Sequence, residues 1–288
     1  MARHLAIAVP GTWEGEAAWN AGVTPGPRTP VGLLKLITDK LDRRFFDVTY
    51  CNYPGSFGPV AGGGTPPLDD WTKPTYKESV QIGVNDVIGL IESHPGHKIA
   101  LLGYSQGGEV ISRALERILR GDKQHLKDRI FWGHTFGNPC RGYPNRSFHL
   151  GAVQPGSGIS KFNLNDTGAV DWFDYVNAGD MYSTVFHPDS YLDEIYTTAT
   201  ELGTDLNEVA AFIQSAITNG GVVQQVIQDG MVDPIGTAVR LGKTAAQAGA
   251  FYGDGTKPHI EYHIRPIIGN TTAVQHSINH LNYWGARR

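Results

Sequence analysis

Residues 97–121 read HKIALLGYSQGGEVISRALERILRG, and the order of signals in this stretch decides the fold. IALL (99–102) is a continuous apolar run of strand length, as expected where both faces of a strand are buried. Further on, Val110, Ile111, Ala114, Leu115, Ile118 and Leu119 fall on one face of a helix, and Gly121 can end it. Between strand and helix sits Ser105, framed by Gly103 and Gly107 in the pattern G-x-S-x-G. In that setting the pattern holds a serine on a sharp turn at the end of a sheet, and the glycines leave room for close packing. The following N–H, from Gln106, then faces a developing oxyanion, and the helix N-terminus adds positive potential. A glycine-rich structural turn is the competing reading. The flanking strand and helix favour a nucleophile.

Outward from this turn the chain alternates strand and helix. HLAIAV (4–9), FDVTYCNY (46–53), RIFWGHTFG (129–137) and DWFDYVN (171–177) read as strands, while 31–41 and 75–94 carry helical spacing. This alternation predicts an α/β fold with a central parallel sheet covered on both faces. It breaks off at Asp189. From there to Gly249 the chain looks helical, with Asp233 as an N-cap and Pro234 at the first helical position of a new helix. Strand character returns in HIEYHIRPII (259–268), and 272–284 reads as a closing helix. The expected organisation is therefore one α/β domain built from 1–188 and 250–288, with a helical insertion at 189–249. The irregular stretch 54–71 is long for a connection, so a functional role is expected there. Its composition, with that of the helical insertion, suits the lining of an apolar trough.

Composition narrows the function classes. Only 18% of the 288 residues are charged, the formal net charge is -4, and no basic run stands out, so no nucleic-acid partner is expected. The apolar stretch at 4–9 is too short for a signal-peptide core, and no stretch reaches the length of a membrane span, so a soluble protein is expected. Cys51 and Cys140 form no disulfide framework and lack metal-ligand spacing. They read as two reduced core thiols, with a single bridge as the alternative.

A serine nucleophile needs a base, and the base needs a carboxylate; in this architecture the chain order is Ser, then Asp or Glu, then His. Of the late histidines, His259 follows the Gly/Pro-rich GDGTKP and suits a loop side chain that reaches Ser105. His263 is next, and His276 and His280 sit in the closing helix. For the acid, Asp180 in YVNAGDMY follows a strand through a short turn; Asp174, Asp171, Asp166 and Asp189 are alternatives. The second oxyanion donor is expected from AVPGTWEG after the first strand, with the Thr12 N–H beside that of Gln106. A simple β-turn is the other reading there. HPGH (94–97), HIEYH (259–263) and HSINH (276–280) imitate metal motifs. The first is broken by Pro-Gly, and the second would set its imidazoles about 13 Å apart on a strand. The third lacks a further ligand. No metal and no cofactor are expected.

Taken together, AVPGTWEG, LLGYSQGGEV, TFGNPCR (135–141), VNAGDMY and PHIEYH resemble the lysin B esterases of phages that infect mycobacteria and related actinobacteria. G-Y-S-Q-G itself is shared with cutinases and other lipolytic relatives. The resemblance implies a cutinase-like α/β-hydrolase fold and cleavage of the ester joining mycolic acids to arabinogalactan during host lysis. It also implies Ser105 as nucleophile, Asp180 as acid and His259 as base. The substrate would be a lipid ester of the mycobacterial-type cell envelope and the enzyme a monomer. It would be made in the host cytoplasm without a signal peptide and act on the outer envelope after lysis. A general cutinase-like lipase or esterase on small or glyceride esters is the alternative.

Overall fold

A computed structural model describes residues 3–15, 28–57, 73–142, 155–186, 190–202 and 221–288. The first elements are β1 (His4–Val9), α1 (Gly32–Thr38), β2 (Phe46–Tyr50), α2 (Tyr76–Ser93), β3 (Ile99–Tyr104), α3 (Gln106–Arg120), β4 (Ile130–Phe136) and β5 (Asp171–Tyr175). The strands form one parallel sheet in the order β2-β1-β3-β4-β5. The order in which strands are added to the sheet reverses between β1 and β3. Open α/β sheets bind ligands at such a switch point, outside the carboxyl ends of the strands.

Pleating explains why the strands are apolar on both sides. Leu5, Ile7, Val9, Ile99 and Leu101 face a core shared with α2 and α3, through residues such as Val84, Ile88, Ile111 and Leu115. Ala6, Ala8, Ala100 and Leu102 face a second core with α1 and the closing helix α8 (Ala273–Gly285). The alanines keep that second layer close to the sheet. Helix α2 starts on a capping box, in which Thr75 Oγ1 accepts from the Glu78 N–H and the Glu78 carboxylate accepts from the Thr75 N–H.

The insertion holds α4 (Leu192–Leu202), α5 (Gly221–Val232) and most of α6 (Pro234–Gly253). Asp233 caps α6 by accepting from the Gly236 N–H at 3.0 Å, with Pro234 in the first turn, as its sequence predicts. Tyr191, Leu192, Ile195 and Tyr196 belong to the same buried cluster as α2 and α3. No helix among the described residues is long and apolar enough to cross a membrane. Cys51 and Cys140 are buried free thiols.

One element differs from its sequence-based reading. HIEYHIRPII is not a strand over 259–268: a single helical turn, α7 (Lys257–Ile260), leads through turns to the short β6 (Pro266–Ile268), which pairs with β7 (Thr271–Thr272). Pro258 sits in the first turn of α7, where its ring and missing N–H favour a helical start, and Thr256 ahead of it adopts a left-handed conformation (φ 59°). Of 58–72 and 203–220 nothing is described, so most of the 54–71 stretch expected to line a trough, and the middle of the insertion, lie outside the described residues.

Beneath β4 and β5, the closing helix sets a histidine cluster against the sheet. His134 is fully buried; its Nδ1 lies 2.7 Å from Ser277 Oγ and its Nε2 3.2 Å from His280 Nδ1. His280 in turn pairs with Asp171 at 3.2 Å, and His276 meets the Tyr175 hydroxyl at 2.9 Å. HSINH is thus a packing motif that ties α8 to the sheet. Burial, with the neighbouring imidazoles, pushes His134 well below the ordinary histidine value, and burial lowers His276 as well. A histidine depressed in the folded state binds its proton more readily unfolded, so stability is full above about pH 6.5 and falls as pH drops below it. The expected slope is about 1.4 kcal/mol per pH unit for His134 alone. Calorimetry between pH 7.5 and 5 should show a falling Tm, and His134→Gln should flatten that fall.

Candidate active site

The G-x-S-x-G turn is built at the carboxyl end of β3. Ser105 has φ 52° and ψ -120°, a conformation a non-glycine residue holds only when its surroundings impose it. What imposes it is visible. The Ser105 N–H bonds to the Phe136 carbonyl at the end of β4 (2.9 Å), and the Ser105 carbonyl accepts from the Gly108 N–H (2.8 Å). A Cβ on Gly107 would strike the carbonyl oxygens of Val9 and Pro10, and one on Gly103 would meet the backbone of Gly107 and Gly108. Gly107→Ala is therefore expected to cost about 2–3 kcal/mol through overpacking, a Tm drop of roughly 5–10 °C. Gly89→Ala is the control, because nothing lies within 4 Å of its Cβ and alanine is the better helix former. Thermal unfolding of the two variants checks this.

Gln106 follows the serine and is completely buried. Its Nε2 donates to the Ser56 carbonyl (3.0 Å) and its Oε1 accepts from Ser79 Oγ (3.0 Å), tying the elbow to the 53–57 segment and to α2. The side chain is therefore structural, and its backbone N–H at the start of α3 has no acceptor among the described residues. The same is true of the Thr12 N–H, in the turn after β1.

That turn is held by a residue whose role the sequence does not reveal. Glu14 accepts from the Gly11 N–H (2.8 Å) and, across the chain, from the Leu33 N–H (2.9 Å), while Trp13 takes φ 64° and donates its N–H to Gly55 (2.7 Å). Burial raises the Glu14 carboxyl above its usual range, against the pull of the two amides. Two loops and α1 thus converge on one carboxylate.

His259 stands on α7 and is nearly buried. Its Nε2 lies 2.9 Å from Ser105 Oγ, and its Nδ1 lies 3.0 and 3.1 Å from the two Asp180 oxygens. A carboxylate accepts only, so the proton sits on Nδ1 and Nε2 accepts from the serine hydroxyl. The ring is clamped between Tyr104 (centroids 5.4 Å) and Tyr182 (4.4 Å), and its carbonyl accepts from the Tyr104 hydroxyl. Asn177 Nδ2 donates to the Pro258 carbonyl at 2.8 Å, fixing the turn itself.

Asp180 is fully buried and also accepts from the Tyr262 hydroxyl and the Tyr182 N–H. Burial alone would raise its carboxyl. The adjacent imidazole, its hydrogen bond, Tyr262 and the Tyr182 amide outweigh burial and hold it below the ordinary aspartate value. Gly137, at φ 61°, is obligatory here, since a Cβ would strike the His259 ring and the Asp180 carboxylate. Two other side chains of TFGNPCR are accounted for. Asn138 Nδ2 donates to Asp174 (3.1 Å) and Ser112 (3.0 Å), and its Oδ1 accepts from the Cys140 N–H. The buried Arg141 donates to the carbonyls of Ser183 (2.6 Å) and Gly156 (2.7 Å), holding the loop that carries Asp180.

The structure thus brings Ser105, His259 and Asp180 together and separates the alternatives. His263 is exposed. Asp174 lies under the sheet end, accepting from Thr135, Asn138 and Trp172; Asp171 pairs with His280 and Asp166 with Arg120. Asp189 lies outside the described residues. No group of three metal-ligating side chains occurs among the described residues. Sequence reasoning missed Glu14, Tyr262, Asn138 and Arg141, although each falls within a stretch already singled out.

Above Ser105 opens a cavity of about 260 Å³, lined by Thr12, Trp13, Phe57, Phe251, His259 and Ile260 among others. A hydroxyl whose proton can pass to an oriented imidazole, beside two N–H groups without an acceptor among the described residues and an apolar cavity, is equipped to attack a carbonyl carbon.

The cutinase family model matches residues 46–184, a span that includes Ser105 and Asp180 and ends before His259. Lysin B from Mycobacteriophage D29 superposes with a TM-score of 0.54 at 18% sequence identity, covering 99% of this chain and 100% of that one. A Trichoderma reesei cutinase in complex with a C11Y4 phosphonate inhibitor gives 0.37 at 18% identity, over 69% of this chain and 73% of that one. A cutinase-like protein from Cryptococcus sp. gives 0.36 at 14% identity, over 72% and 93%. No curated protein sequence matches the chain. The fold is that of a cutinase-like α/β hydrolase, and over its whole length it is lysin B-like.

Proposed function

We propose that this chain is a serine carboxylic-ester hydrolase in which Ser105 is the nucleophile, His259 the general base and Asp180 the residue that orients and stabilises the imidazolium. The observation that carries the reading is the unbroken hydrogen-bond chain from Ser105 Oγ through His259 to Asp180. Ser105 attacks the ester carbonyl as His259 takes its proton, and the oxyanion rests on the N–H groups of Gln106 and Thr12. His259 then returns the proton to the departing alcohol oxygen. Water, activated by the same imidazole, cleaves the acyl-serine and frees the acid.

For the substrate we propose an ester between a mycolic acid and arabinogalactan, cleaved in the outer envelope of a mycobacterial-type host at phage lysis. Full-length likeness to a lysin B supports this, as does the apolar lining of the Ser105 cavity. The enzyme would act as a monomer, made in the host cytoplasm and reaching the envelope once the inner membrane fails. The cutinase match over 46–184 favours a second reading, a broader lipase or esterase. Mass spectrometry of lipids freed from mycolylarabinogalactan, alongside turnover of short nitrophenyl esters, separates the two. Mycolate released by the wild type and not by Ser105→Ala supports the first; rapid nitrophenyl turnover with no mycolate release supports the second. No hydrolysis of any ester overturns both.

A further inference from the structure

Next to the Ser105 cavity lies a second and larger one, of about 420 Å³, and Tyr76 lines both. It opens between the first turns of α2, the second turn of α3, helix α4 and the segment 160–162. Its floor is the buried Glu109, one helical turn beyond Ser105. The Glu109 carboxylate accepts from the Tyr76 hydroxyl (3.0 Å), the Tyr196 hydroxyl (2.8 Å) and Arg113 Nε (2.7 Å). Arg113 is thereby held by one nitrogen with its guanidinium over the Phe162 ring, 4.9 Å from the centroid. Its two terminal NH2 groups have no hydrogen-bond partner among the described residues. Such a fork, oriented from behind and open in front, is a donor set awaiting acceptors.

An ester seated with its carbonyl at Ser105 has two arms. The apolar lining around Phe57, Phe251 and Ile260 suits the acyl arm. The second cavity offers something different: aromatic rings of Tyr76, Phe162 and Tyr196 beside the Arg113 fork, Gln81 and Thr197. Flat apolar faces alternating with directional hydrogen-bonding groups match a sugar ring, which presents C–H faces and equatorial hydroxyls. Charge agrees with this. Among the described lining residues, Glu78 and Glu109 offset Lys77 and Arg113 and leave Lys161 as the one excess cation, a balance that suits a neutral polyol better than a phosphate. A cavity of this size is also within the usual range for small ligands. We propose that this cavity binds the alcohol half of the substrate, a sugar or short run of sugars, while the acyl half occupies the Ser105 cavity. The inference rests on the esterase reading and adds to it a subsite for the leaving group.

The test compares two esters with the same decanoyl acid, one of nitrophenol and one of the primary hydroxyl of methyl arabinofuranoside. Thr197→Trp puts an indole into the cavity from α4, and Arg113→Lys keeps the charge beside Glu109 while removing the free fork. Each variant is expected to lose at least tenfold more kcat/KM on the sugar ester than on the nitrophenyl ester, mainly through KM. Saturation-transfer NMR of free methyl arabinofuranoside should show binding to Ser105→Ala protein and its loss when Thr197→Trp is added. Equal losses on both esters, no loss on either, or sugar binding that survives the indole would overturn the proposal. If the wild type cleaves neither ester, the hydrolase reading fails by itself, and the NMR result still decides the subsite.

Discussion

Ser105→Ala is expected to lower kcat for ester hydrolysis by a factor on the order of 10⁴ or more while leaving the fold intact. The reasoning separates backbone from side chain. The strained turn at Ser105 is imposed by the Phe136 carbonyl and by the close approach of Gly107 to β1, and neither involves the hydroxyl. Alanine keeps the same Cβ and inherits the same backbone. Among the described residues the Ser105 hydroxyl hydrogen-bonds to His259 alone, so removing the oxygen leaves one partly buried nitrogen to be reached by water. Tm should therefore stay level or rise slightly, the usual signature of a site that trades stability for chemistry. A fluorophosphonate should label the wild type and fail to label the variant. Activity retained within tenfold in Ser105→Ala would remove the serine from the mechanism altogether.

How much of this was legible beforehand depends on whether the cause of each feature lies nearby in the chain. β1 and the β3–α3 unit declare themselves because burial on both faces demands continuous apolar runs and the turn between them demands glycines at fixed offsets. The three central side chains could be chosen by chain order together with local context, the G-x-S-x-G turn at Ser105, the short turn before Asp180 and the Gly/Pro-rich GDGTKP before His259. What stayed hidden are the interactions set by tertiary approach. Nothing local in TWEGE says that Glu14 will gather the Leu33 amide from α1. Nor does HIEYH announce that Tyr262, three residues past the imidazole, will turn inward to the same carboxylate; alternating apolar residues there imitate a strand instead. In sequence Gly137 is one more glycine after a strand, and only the His259 ring pressed against it explains why nothing larger fits. Nothing local in TFGNPCR says that Arg141 will be completely buried, stapling the acid's loop by its carbonyls.

Asp180→Asn should also be severe, with kcat lowered by about 10⁴, and it should differ from Ser105→Ala in costing stability too. The carboxylate receives the His259 Nδ1–H, the Tyr262 hydroxyl and the Tyr182 amide in a fully buried position. Three donors converge on two oxygens that only accept. An asparagine must present an NH2 group to one of them, so it either meets a donor with a donor or forces His259 into the tautomer that carries its proton on Nε2. In that tautomer the imidazole can no longer accept from Ser105, and base catalysis ends. Leaving a buried donor unmatched adds a cost of about 1–3 kcal/mol. Stability should respond to acid in a related way. Asp180 is held below the ordinary aspartate value, so its contribution is complete above about pH 4 and fades as pH falls through its own lower value. Asp180→Asn should lose that acid-limb dependence while keeping the steeper fall below pH 6.5 that belongs to His134. Tyr262→Phe removes one donor and leaves the imidazole's tautomer alone, so its kcat should fall far less than that of Asp180→Asn. Equal losses in the two variants would mean that Asp180 acts by general burial and not by holding the proton on Nδ1.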